Sequence, residues 1–122
     1  MANDLAYLAV WTFGAECPVP QDLSDILIEG EVAEYAFKTI RDIALFTNKR
    51  LIVRDAQGLT GKKVEMYSLP YKSINMYSSE NAGKIDFNAE IELWTIAGQI
   101  KINLNRDANI RRIDRLIAQY IL

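Results

Sequence analysis

The chain has 122 residues, half of them apolar and a quarter charged, with a formal net charge of −2. That is the length of one domain and an ordinary soluble composition, and its slight acidity excludes a general nucleic-acid binder, whose domains are strongly basic. With no histidine and a single cysteine, Cys17, a disulfide framework, a Cys/His zinc site and every histidine-dependent triad or dyad are excluded within one chain.

The first apolar stretch, Leu5 to Phe13, follows Asn3-Asp4 rather than a positively charged region. It is also shorter than the roughly 20 residues that span a bilayer, so a soluble, cytoplasmic chain is expected. Leu5, Leu8, Ala9 and Val10 are expected to form a short helix. Pro18 and Pro20 break this segment, since neither donates a helical hydrogen bond. Gln21 or Asp22 then opens a second short helix that buries Leu23, Ile26 and Leu27 and stops at Gly30. From Glu31 the period is two. Alternation predicts strands around Ala33–Lys38, Ile43–Thr47, Leu51–Val53, Val64–Met66, Ile74–Met76, 86–95 and Ile100–Leu104. The last period is helical: Ile110, Ile113, Leu116, Ile117, Tyr120 and Ile121 form one stripe over about 108–122, with Asp107 or Asn109 as N-cap. Seven strands and one terminal helix predict a bent antiparallel sheet or barrel closed by the helix.

Charge is unevenly distributed. Residues 1–37 carry seven acids and no base, whereas residues 38–63 carry seven bases against Asp42 and Asp55. Lys38, Arg41, Lys49, Arg50, Lys62 and Lys63 are therefore the candidate anion-binding residues, with Gly58 and Gly61 supplying backbone amides nearby. Against this stands a plain reading as solvated turn charges that pair with Asp55 and Glu65. Thr47 and Asn48 read as turn residues.

Phe46-Thr47-Asn48-Lys49-Arg50-Leu51-Ile52, Gly58-Leu59-Thr60-Gly61-Lys62-Lys63-Val64-Glu65, Pro70-Tyr71-Lys72-Ser73-Ile74 and Ala89-Glu90-Ile91-Glu92-Leu93-Trp94 occur in this order. Together they resemble the bacterial pleckstrin-homology (PH) domain family. The resemblance covers about Ile26 to Leu122, which sets 26–122 as the PH-like domain and 1–25 as an N-terminal helical extension. It implies a PH-like barrel of two antiparallel sheets with seven strands, capped by the C-terminal helix. It also implies ring-like homo-oligomers and no enzymatic activity. The turn Lys38-Thr39-Ile40-Arg41-Asp42, where eukaryotic relatives hold phosphoinositides, is short for a phosphate cradle.

Glu90 and Glu92 stand about 7 Å apart on one strand face, a spacing that serves glycoside hydrolysis or calcium binding only in a convergent cleft; alternation alone predicts a solvated face. No catalytic residue, metal ligand set or cofactor motif emerges, so a non-enzyme is expected. Trp94 interrupts that polar face and, with Tyr71, is a candidate interface residue. Arg111, Arg112 and Arg115 join them, because two arginines in a first helical turn oppose the helix dipole and call for compensation by Asp114 or by acids of the 1–37 segment. The functional expectation is a non-catalytic module that assembles with itself and binds a protein or peptide. The alternative is peripheral binding of anionic lipid or phosphate through the basic cluster.

Overall fold

The computed structural model describes residues 7–39, 42–56, 64–81, 88–105 and 108–122. They form eight strands and two helices: β1 (Ala9–Thr12), α1 (Gln21–Ser24), β2 (Ala33–Lys38), β3 (Ile43–Thr47), β4 (Arg50–Ala56), β5 (Val64–Pro70), β6 (Ile74–Glu80), β7 (Asn88–Thr95), β8 (Gly98–Asn105) and α2 (Ile110–Ile121). A 3-10 turn, Tyr71–Ser73, links β5 to β6. The strands divide into two four-stranded sheets, ordered β1-β8-β7-β6 and β2-β3-β4-β5. The chain makes two compact units, Gly14–Tyr71 and the described residues through Phe13 together with Lys72–Leu122.

The seven predicted strands are all present, and the eighth is β1. The first apolar stretch is extended rather than helical, because Ala9–Thr12 pairs in parallel with Ile100–Asn103 of β8. A short apolar run carries no period that separates strand from helix, so the distant partner decides. Gly98, at the start of β8, sits at φ 147°, and a Cβ added there would lie 2.8 Å from the Leu8 Cβ. The second predicted helix shrinks to Gln21–Ser24, with Leu23 buried, Ile26 exposed and Gly30 at φ 83°.

In the Gly14–Tyr71 unit the sheet is apolar on both faces. Leu23, Ala36, Ile43, Leu45 and Ile52 form one buried cluster, with Cys17, Leu27 and Ala33 packed against it. Phe37, Phe46, Leu51 and Val53 are buried on the opposite face, and the Phe37 and Phe46 rings meet edge-on at 6.1 Å. That is why Ile43–Thr47 is buried without alternation. In the other unit the alternation is clean. Ala89, Ile91 and Leu93 of β7 and Ile100, Ile102 and Leu104 of β8 are buried, and α2 contributes Ile110, Ile113, Leu116 and Ile117 while packing on β6 and β7. Asn109 is the N-cap, its side chain accepting from the Arg112 N–H.

The β3–β4 turn is locked by an acid from the 28–32 loop. The Glu31 side chain is fully buried, and its carboxylate receives Arg50 Nε at 2.8 Å, Arg50 Nη2 at 3.0 Å, Thr47 Oγ1 at 2.7 Å and the Ile28 N–H at 3.1 Å. Arg50 extends further, to the Ile26 carbonyl at 2.9 Å and Ser68 Oγ at 3.0 Å. Thr47 Oγ1 accepts the Lys49 and Arg50 N–H groups, both at 3.0 Å. Asn48 accepts from the Val32 N–H at 2.8 Å and donates to the Gly30 carbonyl at 3.1 Å.

Burial pushes the Glu31 carboxyl up, but the hydrogen bonds from Arg50, Thr47 and Ile28 and the charge of Arg50 outweigh it, so it titrates below the usual carboxylate range. A depressed folded-state value means that this contribution to stability is complete above the unfolded carboxylate range near pH 4.3 and is lost as pH falls through the folded value. Arg50→Met strands a buried carboxylate. It is expected to cost about 3 kcal/mol at pH 7 in denaturant unfolding and to invert the sign, the variant gaining relative stability as acid neutralises Glu31. A parallel loss at all pH values would rule the ion pair out as the cause. Leu23→Ala is expected to cost about 2–5 kcal/mol; an unchanged unfolding midpoint would mean that residues 1–25 are an appendage.

Candidate functional site

Three of the six basic candidates, Lys38, Lys49 and Arg50, lie among the described residues, and they do not converge on one point. Lys38 pairs with Ile43, whereas Lys49 lies beyond Thr47, which pairs with Ala33. The two lysines thus stand at opposite ends of β3, roughly 13 Å apart along the strand at about 3.3 Å per residue. Both are exposed. Arg50 is committed to Glu31, Ile26 and Ser68, as described above. Arg41, Lys62 and Lys63 lie outside the described residues. The β4–β5 ladder pairs Arg50 with Pro70 and Ala56 with Val64. Val64, the chain neighbour of Lys63, is therefore six residues from the Arg50 end of the ladder, roughly 20 Å.

The acid-rich and base-rich stretches do meet, but inside one unit. Glu31 binds Arg50, and Asp22 of α1 pairs with Arg54 of β4. Partners 19 and 32 residues apart are legible only once the strands are in register.

Of the interface candidates, Tyr71 is corrected by its burial. It is 1% exposed, and its hydroxyl donates to the Thr47 carbonyl at 2.8 Å, so its ring belongs to the interior. Trp94 is half-buried on the polar face of β7, opposite Met76 of β6, which is exposed. On the same face the Glu92 carboxylate accepts Tyr7 Oη at 2.9 Å and Gln99 Nε2 at 2.7 Å, while Glu90 pairs with Lys101 at 3.4 Å. The hydrogen bond to Glu92 and partial burial hold the Tyr7 phenol above its ordinary value. Both glutamates are thus engaged across strands of their own sheet rather than aimed into a cleft.

Arg111, Arg112 and Arg115 are exposed on the first two turns of α2. The first turn carries no acid, and Asp114, in the next turn, accepts from Ser79 Oγ at 2.5 Å. The three arginines, Asn109 and Asp114 line an open concavity of about 500 Å³.

Strand β5 is the feature that sequence reading missed. Every residue of it except Leu69 is exposed, including Val64 at 57%, Met66 at 40% and Tyr67 at 41%. Its composition signals a strand, and only the sheet order shows that it lies at an edge. Burial pushes the Cys17 thiol up, as suits a half-buried packing residue rather than a reactive one. Among the described residues no helix is long and apolar enough to cross a membrane.

The comparisons agree with this architecture. The family model "Bacterial PH domain" matches residues 6–121. The chain is 43% identical over 103 residues to the uncharacterized protein YjqA of Bacillus subtilis (strain 168), covering 82% of each. It is also 29% identical over 99 residues to YozO of the same organism, likewise uncharacterized, covering 81% of this chain and 86% of the relative. Among solved structures, a DUF1696 family protein with a pleckstrin-homology domain from Shewanella loihica PV-4 superposes with a TM-score of 0.77 at 37% identity, over 89% of this chain and 99% of that one. A pleckstrin homology domain from Shewanella amazonensis SB2B gives 0.63 at 41% identity, over 84% of each. With its two sheets, its C-terminal helix and a family match over nearly its whole length, the chain belongs to the bacterial PH domain family.

Proposed function

We propose that this chain is a non-catalytic, cytoplasmic PH-like module that works by assembling with itself and binding a protein or peptide. The observation that carries this reading is β5. A seven-residue strand at the edge of a sheet, with exposed Val64, Met66 and Tyr67 and no lysine or arginine, has the character of a surface that takes another strand.

The other sheet edges support the choice by contrast. Residues 14–17 run along β2, with Gly14 N–H on the Lys38 carbonyl at 3.0 Å, Lys38 N–H on the Ala15 carbonyl at 3.0 Å and Cys17 N–H on the Ala36 carbonyl at 2.8 Å. β6 is interrupted by a register shift between Ile74 and Met76, and β1 has only four residues. Bulges, short strands and covering segments are the usual devices that stop edges from pairing. β5 carries no register shift along its ladder. Trp94 and Met76 offer a second apolar contact on the other sheet. The alternative, anionic lipid or phosphate held by the basic cluster, is weakened by the separation of Lys38 from Lys49 and by the commitment of Arg50. The lone thiol of Cys17 suits a reducing compartment.

Both Val64 and Met66 are exposed, so the pair V64K/M66K is expected to leave monomer stability within about 0.5 kcal/mol. Analytical ultracentrifugation should show the wild type above monomer mass and the double variant shifted towards monomer. A wild type that stays monomeric at every concentration tested, or an unchanged variant, would overturn the β5 reading.

A further inference from the structure

The outward face of the β1-β8-β7-β6 sheet is polar except along one row, at the end that holds the β7–β8 turn. The ladders set Trp94 between Gln99 of β8 and Met76 of β6. Leu8, whose N–H donates to the Gln99 carbonyl at 2.7 Å, precedes the β1–β8 ladder by one residue and so continues the row. Ile96, in the turn itself, is almost fully exposed, and Leu8 and Met76 are exposed as well. Across four strands spaced about 4.8 Å apart the row is roughly 14 Å long. The register shift in β6 builds it. Ile74 pairs with Thr95 and Met76 with Trp94, so Asn75 is the extra residue. Without that shift Asn75 would stand beside Trp94, and Met76 would turn to the core side. Among the described residues nothing accepts the Trp94 indole N–H, which leaves a donor within the row for a main-chain carbonyl.

We propose that this row is the docking site for a protein segment whose apolar side chains are flanked by lysine or arginine. The proposal rests on the protein-binding reading above but uses no residue of β5. Tryptophan is the side chain that most often anchors an interface, and methionine adapts its shape to what it meets. The neighbouring rows set the charge of the partner. Glu80, Glu90 and Glu92 share the face with one described cation, Lys101, which pairs with Glu90. Glu92 accepts from the neutral Tyr7 and Gln99 side chains and so keeps its charge. This excess of carboxylates repels an anionic lipid surface and attracts basic flanks beside an apolar core.

Random short peptides displayed on phage are selected on the full wild-type chain, with M76S/I96S for counter-selection, and the most enriched peptide is synthesised. Met76 and Ile96 are both exposed, so the variant is expected to keep the wild-type unfolding midpoint. Enriched peptides are expected to combine aliphatic or aromatic residues with Lys or Arg and to lack Asp and Glu. The synthetic peptide should shift the Trp94 indole N–H resonance saturably, and its affinity should fall as salt rises. It should bind M76S/I96S at least about tenfold more weakly and V64K/M66K as it binds the wild type. No enrichment over M76S/I96S, enrichment without a charge preference, or a peptide that leaves the Trp94 resonance in place overturns the proposal. So does a lower sedimentation mass of M76S/I96S, which would give the row to a second copy. Binding to phosphatidylserine vesicles that M76S/I96S loses would give it to a membrane, and overturns the proposal too. The mass of V64K/M66K tests the β5 reading alone, so the two failures are distinguishable.

Discussion

The burial of Glu31 is the constraint on which the Gly14–Tyr71 unit depends. Taking a carboxylate out of water costs several kcal/mol, and attraction to one cation offsets that only when the remaining lone pairs are also satisfied. Here the donors come from separate stretches of chain: the Ile28 amide, the Thr47 hydroxyl and two nitrogens of Arg50. Each donor is in place only if the 28–32 loop, the end of β3 and the start of β4 already hold their native geometry. The same guanidinium reaches Ser68 and the Ile26 carbonyl, so β5 and the end of the α1 loop are tied to the same group. One charge pair thus joins five segments, and a partial arrangement would leave a buried charge unsatisfied.

This explains why much of the fold was legible and the site was not. Strands β7 and β8 and helix α2 announce themselves by period, because each must present an apolar face to a core. The α2 stripe from Ile110 to Ile121 and the alternation of β7 follow from the residues alone. β1 was not legible, since its extended form is imposed by β8 far along the chain. Nor were the charge pairings. Sequence showed an acidic and a basic stretch, yet it is register that sends Arg50 to Glu31 and Arg54 to Asp22, and that sets Lys38 and Lys49 at opposite ends of β3. Tyr71 misled for a related reason: a large aromatic with a polar tip suits an interface and an interior equally, and the Thr47 carbonyl decides for the interior.

The two sheets use different means to bury their apolar surface. One has buried residues on both faces, one of them packed against the segment that carries Cys17, Leu23 and Leu27, so its strand β3 is buried throughout. The other keeps a polar face laced by Tyr7, Glu92, Gln99, Lys101 and Glu90. On the function proposed above, the module works through its surfaces rather than through a reaction centre. The informative positions are therefore those where the surface departs from ordinary solvation, at the apolar edge of β5.

The parallel pairing of β1 with β8 also bears on how the chain is made. Thr12 and Asn103, side by side in the sheet, are 91 residues apart in sequence. During synthesis β1 emerges first, yet its partner strand is among the last to appear, and the whole Gly14–Tyr71 unit is produced between them. Contacts of such separation form late, because a long loop must close before they return any energy. Strand β1 is therefore a latch that waits, its backbone groups unpaired, until the strand it joins has been made.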